Sequence, residues 1–560
     1  MIRHTHIASR SILPLAILMF WSGGCVLVRV AEYAHQLSVD SGVAADEHWD
    51  VVRLNLDIEL CPCHGNLFGQ GTATLRLVRG PSYGPTLTLK NVSRFTKCTA
   101  DVGETGHVEM KPHRAEVRFP QPLQAGEKVD VSFEFRSGGD SCPVVVTPEC
   151  AYARCHGHWY PEPLAGSAVA PGTTRLNVPE GWRTLANGEL ADSRVEGGRR
   201  SDTWKTEVPT ARSFGAGPYS VRRYSHKGRT VAIYLFGKDS EKAKAYGEGL
   251  LRVLEILESR FGPYPYETCS IVEICDDVAA WKGVAEHGLI LVASSEIRSD
   301  GFNTTLVAHE LAHQWWGSYV GSRAPSALMV DEALAQYGIV LTIEALEGEQ
   351  AATNFLRFSR EGYVPCQCAR AYFNRIRGQR HDKPLMKLTG EEYDYWLANA
   401  KGHWIYHMLR QRVGDELFFG TLRELIARHG AGEMSLADLR SAFVATAPPD
   451  ANLETFLRQW LDRPGAPVLD VTWTAEDGAE GPVARVTIQQ KGQPYDLSLE
   501  VAVDSGDDST LHAIRLSKTV QTYSLAAPGH VTGVRIDPNH RLLVWDPAYD
   551  RQRTCSGQRP

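Results

Sequence analysis

Two histidines and a glutamate in the middle of the chain have the spacing of a zinc site. His309 and His313 are the outer residues of the segment H-E-L-A-H, so on a helix their imidazoles lie on one face, one turn apart. Neutral imidazoles bind Zn²⁺, and a catalytic zinc usually keeps three protein ligands and one open position. Glu310, beside that face, can take a proton from a water molecule on the metal. The segment therefore predicts a metal-dependent hydrolase.

The third ligand is predicted to be Glu332, which follows His313 after eighteen intervening residues. The pattern predicts one helix over Thr304 to Trp316 and a second over Leu328 to Ile339, and glycine and proline residues between them indicate a turn. Two antiparallel helices joined in this way bring the carboxylate to the histidine pair. A bare H-E-x-x-H also arises by chance in a chain with 20 histidines, but the helical context and the spaced carboxylate favour the metal site.

Two longer stretches carry a resemblance to a known family. His309 to Gly317 reads H-E-L-A-H-Q-W-W-G and Asp331 to Tyr337 reads D-E-A-L-A-Q-Y. They resemble the zinc aminopeptidases of the aminopeptidase N family, which are gluzincin metallopeptidases. The resemblance implies one Zn²⁺ ion, peptide substrates and removal of N-terminal residues. It also implies that a zinc-bound water attacks the first peptide carbonyl with Glu310 as the general base.

A shorter segment, G-V-A-E-H from Gly283 to His287, stands where the family carries G-x-M-E-N on an edge strand. Gly283 and Glu286 match that pattern, whereas Ala285 replaces the methionine and His287 replaces the asparagine. The resemblance implies that Glu286 binds the free α-amino group of the substrate, because a fixed carboxylate pairs with an ammonium and registers the chain end. The alternative is a solvated carboxylate on an edge strand.

One catalytic position departs from the family. The family places a tyrosine, which donates a hydrogen bond to the oxyanion, two residues before a Lys-Gly pair. Here the pair is Lys401-Gly402 and the position holds Asn399. Tyr395, four residues earlier, shares a face with Asn399 if the helix begins before it, and Tyr393 is placed less well. Three hypotheses follow: Tyr395 substitutes, Asn399 serves as a weaker donor, or peptidase activity is lost while zinc is kept. Losing one such donor costs on the order of a hundredfold in rate.

Two rival functions follow from these departures. One is a non-catalytic protein that keeps the fold and the zinc, although such a protein has no need for Glu310. The other is a zinc hydrolase that acts on something other than peptide N-termini. Dependence on a free amine in the substrate separates the second rival from an aminopeptidase.

Composition and charge describe an ordinary globular protein. The 560 residues carry a net charge of −7, with 43% hydrophobic and 22% charged residues, so nothing indicates nucleic acid as a partner. The length predicts about three domains. We expect a multidomain α+β protein with a β domain over 46–220, a mostly helical, thermolysin-like zinc domain over 222–448 and a β-sandwich over 466–548. The family's long C-terminal helical domain has no counterpart before residue 560, which predicts a more open cleft.

Periodicity gives individual elements. Alternating apolar residues predict strands, and apolar residues at helical spacing predict helices. Two further helices are predicted. Ser240 caps the first, which extends to Phe261, and the second covers 453–461. The predicted strands are 52–60, 72–78, 86–92, 115–119, 129–135, 230–236, 270–274, 468–473, 483–489, 497–503, 534–536 and 542–545.

The first 30 residues resemble an export segment. Arg3 and Arg10 precede an apolar run from Ile12 to Trp21, and small residues then lead to Cys25, as in a signal peptide. Three alternatives follow. A lipid on Cys25 or an uncleaved anchor would attach the protein to the membrane, and the third alternative is a secreted protein. The segment is short for a membrane span. We therefore expect an exported protein of the cell envelope.

Twelve cysteines agree with an oxidising compartment. A second metal cluster is an alternative use of five residues between 142 and 158. Its spacing fits no zinc template, so disulfides are favoured. The five residues are Cys142, Cys150, Cys155, His156 and His158.

Overall fold

The computed structural model describes residues 47–550 apart from short internal segments (90–92, 104–105, 139, 142, 155–158, 276–281, 298–300, 360–366, 380–381 and 479–480). The export segment with Cys25 and the last ten residues lie outside the described residues. No helix of the described part is long and apolar enough to cross a membrane.

The first region is built from strands. Their bounds are His48–Cys61, Asn66–Arg79, Thr86–Thr88, Arg94–Asp101, His107–Lys111, Arg114–Arg118, Lys128–Gly138, Asp140–Ser141, Val144–Val146, Ala151–Ala153, Glu162–Pro163, Gly166–Ser167, Ala170–Pro179, Arg183–Ala186, Glu189–Glu196, Arg199–Thr210 and Phe214–Gly217. The strand over 48–61 alternates buried and half-exposed residues along most of its length, as the predicted period of two requires.

The largest sheet of this region is mostly antiparallel. Its central strand His48–Cys61 pairs antiparallel with Asn66–Arg79, but it pairs parallel with Ala170–Pro179 on the other side. The parallel pair forms because about a hundred residues intervene before the chain returns to the sheet, which frees it from hairpin geometry. Its buried residues form a core that also takes in Val272, Val284 and Leu291 of the next region.

The second region combines one sheet with most of the helices. The sheet has the order Tyr219–His226, Arg229–Phe236, Thr268–Ile274, Leu289–Ala293 and Gly283–Glu286. Gly283–Glu286 is therefore an edge strand, as predicted. The helices are Ser240–Phe261, Thr304–Ala312, Ala327–Val330, Glu332–Glu347, Glu349–Phe358, Ala369–Gln379, Glu392–Leu397, the π-helical Ala398–Gly402, His403–Val413, Asp415–His429, Leu436–Thr446 and Leu453–Leu461.

The third region contains two three-stranded antiparallel sheets. Their strands are Leu469–Gly478, Gly481–Gln490, Val520–Ala526, Leu497–Ser505, Asp508–Leu516 and Gly533–Ile536. Apolar residues of both sheets are buried in one core with the helical region, which confirms a β-rich start, a helical middle and a small C-terminal β-sandwich.

Two predicted helix boundaries were wrong. The cap of the helix over 240–261 is Asp239, whose carboxylate accepts a hydrogen bond from Lys242 N, so Ser240 is its first residue. The helix around the histidines ends at Ala312, not at Trp316. Trp315 and Trp316, which follow this helix, are fully buried.

The strand predicted over 542–545 is absent. The Asp537 carboxylate instead accepts hydrogen bonds from the backbone N–H groups of Arg541 and Leu542, and Trp545 N donates to Pro467 O. A side chain that holds successive backbone donors replaces the sheet ladder. The apolar character of residues 542–545 is therefore explained by packing in a turn and not by a strand.

Candidate metal centre

One short helix positions three of the predicted site residues. It begins after Asn303, whose side chain accepts from Leu306 N, and it ends with His313 as its C-cap. His309, Glu310 and His313 are all buried on it. The two histidines keep helical spacing, so their ring nitrogens point the same way.

The helix expected over 328–339 is broken into two, and this break places Glu332. Ala327–Val330 and Glu332–Glu347 are separate helices, and Asp331 between them has φ −83° and ψ −78°. Glu332 is thereby the first residue of the longer helix. The sequence signal missed the break because apolar periodicity continues across it.

His309, His313 and Glu332 meet at one point. The two Nε2 atoms are 3.2 Å apart, and Glu332 Oε2 lies 3.5 Å from His309 Nε2 and 3.9 Å from His313 Nε2. Tetrahedral ligands about 2.0–2.1 Å from a zinc ion are about 3.3–3.4 Å apart. Among the described residues this is the one group of three histidine, cysteine or carboxylate side chains close enough to share an ion. The donor set fits zinc, and the predicted convergence is confirmed.

A carbonyl and a carboxylate set the tautomer of His313. Its Nδ1 lies 3.0 Å from Trp316 O and 2.9 Å from Asp331 Oδ1. Both neighbours are acceptors, so Nδ1 carries the proton and the Nε2 lone pair faces the cluster. Gly317 permits this approach, because a Cβ there would lie 2.0 Å from Asp331 Oδ1.

Asn399 contacts a predicted metal ligand. Its Nδ2 donates to Glu332 Oε2 at 3.1 Å, and it belongs to the π-helical segment over 398–402, a feature that often occurs at functional sites. Gly402 lets this segment approach, since a Cβ there would lie 2.7 Å from Ala333 Cβ. Tyr395 lies on the helix over 392–397, which begins before it as its predicted role requires, and it is buried in the core.

Glu310 borders the edge strand. A Cβ added at Gly283 would lie 3.4 Å from Glu310 Cγ and 2.9 Å from Leu306 Cδ1. The glycine therefore leaves room beside the predicted general base. Ala285, two residues along the strand, is fully buried.

Glu286 is fully buried, so the alternative of a solvated carboxylate is wrong. Its Oε1 accepts from Arg154 Nε at 3.3 Å and its Oε2 from Ser213 Oγ at 2.8 Å. Gln314, the residue after His313, donates from Nε2 to Glu286 O at 3.0 Å. The N-terminal β region therefore encloses the Glu286 carboxylate. Gln314, just after the helix that carries the two histidines, ties the end of that helix to the backbone of Glu286.

His287 joins the second region to the N-terminal β region by two hydrogen bonds. Its Nδ1 accepts from Ala211 N at 3.1 Å, and its backbone carbonyl accepts from Asn187 Nδ2 at 2.8 Å. Burial, followed by the nearby Arg212 guanidinium, lowers the pKa of His287 to about 4, which keeps the ring neutral.

Sequence reasoning missed Asp331, Gln314 and Arg154 as parts of the site. Asp331 and Gln314 stand directly beside predicted ligands, so the positions next to the motif were the available signal. Arg154 is 132 residues from Glu286, and no local spacing could reveal that contact.

Cys150 and Cys275 form a disulfide that joins the N-terminal β region to the residue after the strand Thr268–Ile274. Cys150 is thereby removed from the alternative second metal cluster. Cys142, Cys155, His156 and His158 lie outside the described residues.

The site thus has two histidines of an H-E-L-A-H helix, a distant glutamate that meets them, and a further glutamate between the histidines. Residues 248–460 match the peptidase family M1 domain. Aminopeptidase N of Lactobacillus delbrueckii subsp. lactis is 26% identical over 319 residues, which are 54% of this chain and 36% of that protein. Aminopeptidase N of Lactococcus lactis subsp. lactis is 28% identical over 309 residues, 53% of this chain and 36% of that protein. The chain thus spans little more than a third of these relatives.

Solved structures share the fold. A mutant of the M1 zinc metallopeptidase from Deinococcus radiodurans aligns with a TM-score of 0.63 and 20% identity, covering 75% of this chain and 96% of that one. The same enzyme with a bound Tyr-Ser-Ala substrate aligns with a TM-score of 0.61 and 22% identity over 75% of this chain and 96% of that chain.

Proposed function

We propose that this protein is a zinc-dependent aminopeptidase that removes N-terminal residues from peptides. The observation that carries the proposal is the convergence of His309, His313 and Glu332 within 4.8 Å of one another, with Glu310 on the same helix. Zinc, when bound by these side chains, supplies Lewis-acid activation of water and of the substrate carbonyl. One ion per chain fits the three ligands.

Glu310 is the proposed general base. Its carboxylate takes the proton of the attacking water and then delivers it to the nitrogen of the leaving amine. Gly283 leaves space beside the Glu310 side chain. Because Glu310 is buried, bulk water is excluded from its carboxylate. A non-catalytic zinc protein has no use for a buried carboxylate at this position.

Two further roles belong to the proposal. Glu286 receives the N-terminal end of the substrate, and Asn399 holds Glu332 rather than the oxyanion, because its Nδ2 already donates to that carboxylate. Tyr395→Phe tests the remaining donor. A fall in kcat of about a hundredfold with an unchanged KM would assign the oxyanion contact to Tyr395.

The test is hydrolysis of a panel of aminoacyl fluorogenic amides with and without a chelator. We expect turnover that a chelator abolishes and zinc restores, and that is lost in Glu310→Gln. Glu349→Gln, an exposed glutamate outside the site, should keep full activity. Stoichiometric zinc without turnover on any amide would contradict the aminopeptidase and favour a binding protein. If only amides that lack a free amine were hydrolysed, this would favour a different hydrolase.

We also propose that the chain is exported and attached to the cell envelope. The support is the N-terminal sequence pattern together with the Cys150–Cys275 pair, because disulfides persist in oxidising compartments. Cell fractionation with a Cys25→Ser variant tests the lipid anchor. Release of that variant from the membrane supports lipidation, whereas retention supports an uncleaved anchor. Cytoplasmic protein with both thiols reduced would contradict export.

A further inference from the structure

Gln314 uses every hydrogen-bonding position of its side-chain amide, which is fully buried. Its Oε1 accepts from Gly288 N at 2.8 Å and from the Tyr264 hydroxyl at 3.2 Å. Its Nε2 donates to Glu286 O at 3.0 Å and to Leu289 O at 3.4 Å. Because the oxygen meets two donors and the nitrogen meets two acceptors, the orientation of the amide is fixed.

Three of these four partners are backbone groups of one hairpin. The strand Gly283–Glu286 pairs antiparallel with Leu289–Ala293, and His287 and Gly288 form the turn between them. Gly288 has φ +83°, which a glycine adopts without strain. The Gln314 side chain therefore holds this hairpin within its turn and at the end of both strands.

The same residue is joined to the predicted zinc site. Gln314 follows His313 directly, and its own backbone is held on both sides. Its N–H donates to Leu311 O at 3.0 Å, and its carbonyl accepts from Tyr319 N at 3.3 Å. One residue with a fixed backbone and a fixed side chain thus connects the histidine ligand to the strand that carries Glu286.

An aminopeptidase needs a constant distance between these two points. A peptide held by its N-terminal ammonium at Glu286 presents its first carbonyl to the zinc ligands only if the two ends of the site are correctly spaced. A misplacement of about 1 Å can cost about a hundredfold in rate. The strand of Glu286 also has a sheet partner, so we expect loss of the Gln314 amide to loosen the spacing and to leave the strand in the sheet.

We propose that Gln314 is a positioning residue that sets the distance between Glu286 and the zinc ligands, and so places the first peptide carbonyl of the substrate at the metal site. This inference rests on the proposed function, in which Glu286 receives the substrate end. A ligand that spans both ends of the site depends on this distance, whereas a ligand that reaches only the metal does not.

The test compares two such ligands without turnover. Alanine hydroxamate and propionohydroxamate, which lacks only the amine, are titrated calorimetrically into the zinc-loaded full chain. We expect the parent to prefer alanine hydroxamate by at least about tenfold, since it pairs an ammonium with a carboxylate. Gln314→Met keeps the length of the side chain and removes its four hydrogen bonds. It should lower this preference by about tenfold or more and leave the affinity for propionohydroxamate unchanged.

A second variant keeps the test decisive if Gln314→Met does not fold. Tyr264→Phe removes the hydroxyl that donates to Gln314 Oε1 and keeps the aromatic ring. We expect it to lower the preference in the same direction by a smaller factor. An unchanged preference in both variants would overturn the inference.

Gln490→Met is the matched control. Gln490 is also buried, and its amide donates to Tyr495 O and Lys518 O and accepts from Tyr495 N, but it belongs to the C-terminal β-sandwich. This variant should lose stability and keep the parent preference. The same loss of preference in Gln490→Met, or an equal loss of affinity for both hydroxamates in Gln314→Met, would show a general structural effect and overturn the positioning role.

Failure of the inference and failure of the proposed function are distinguishable. A parent that binds both hydroxamates equally would overturn the inference together with the role of Glu286 in the proposed function. A preference that disappears in Gln314→Met, in a protein that hydrolyses no amide, would contradict the proposed peptidase activity alone.

Discussion

Asn399 Nδ2 lies 3.1 Å from Glu332 Oε2, at the position where the family carries the oxyanion tyrosine. The amide is therefore a partner of a metal ligand. Carboxylate ligands are held in place by such outer hydrogen bonds. The departure from the family pattern is tied to the metal site itself.

Asn399→Ala should weaken zinc binding, because Glu332 loses a donor that fixes its orientation. We expect a decrease in zinc affinity of about 10–100-fold, measured by competition with a chromophoric chelator. Asn374→Ala removes an exposed asparagine elsewhere and should leave the affinity unchanged. Unchanged zinc affinity in Asn399→Ala, together with a large loss of kcat, would instead assign Asn399 to the transition state.

Gly317→Ala should disturb the partner of His313. The new Cβ would lie 2.0 Å from Asp331 Oδ1, and Gly317 has φ +97°. Gly348 has φ +92° and nothing within 4 Å of such a Cβ, so Gly348→Ala is a matched control for backbone strain. Both variants should lose stability, on the order of 1–3 kcal/mol. Only Gly317→Ala should also lose zinc affinity, and equal affinities in the two would show that the Asp331 contact is dispensable.

The metal motif was predictable because its information is local. His309, Glu310 and His313 need only a helix, and Glu332 needs only a second helix after a turn. The break at Asp331 was not predictable, since burial on both sides of it hides the helix end from an apolar pattern.

The N-terminal region was predictable in class but not in pairing. Alternation along 48–61 gives the strand, yet its parallel neighbour Ala170–Pro179 depends on a chain return of about a hundred residues. The burial of Glu286 was unpredictable for the same reason, because it depends on Arg154 and Ser213, which are distant in the sequence.

Gly283→Ala should reduce turnover while zinc stays bound. The added Cβ would lie 2.9 Å from Leu306 Cδ1 and 3.4 Å from Glu310 Cγ, so it crowds the side of the general base. We expect kcat to fall by between about tenfold and a hundredfold, measured on the best amide of the panel, with one zinc retained. Gly420→Ala, in a helix with open space around its Cβ, should keep activity and gain about 1 kcal/mol of stability. Full activity in Gly283→Ala would show that the strand leaves more room than this packing indicates.

His287 should make the protein sensitive to acid. Burial and Arg212 lower its pKa from 6.5 to about 4, so between these two pH values the unfolded chain binds a proton that the folded chain does not. The free energy of unfolding therefore falls as the pH decreases from 6.5 to 4. A tenfold change in proton affinity corresponds to about 1.4 kcal/mol, so this contribution is on the order of 3 kcal/mol over the whole window.

His287→Asn isolates that contribution. An asparagine can accept the hydrogen bond from Ala211 N and does not titrate, so the variant should lose less stability than the parent between pH 6.5 and pH 4. Urea unfolding at several pH values measures the two slopes. His403 and His407, whose pKa values burial lowers to about 3 and about 4, remain in both proteins and cancel in the difference. His530→Asn, at an exposed site, should follow the parent. Parallel slopes for His287→Asn and the parent would mean that His287 titrates alike in the folded and unfolded chains, and that its ring is not held neutral by the contact between the two regions.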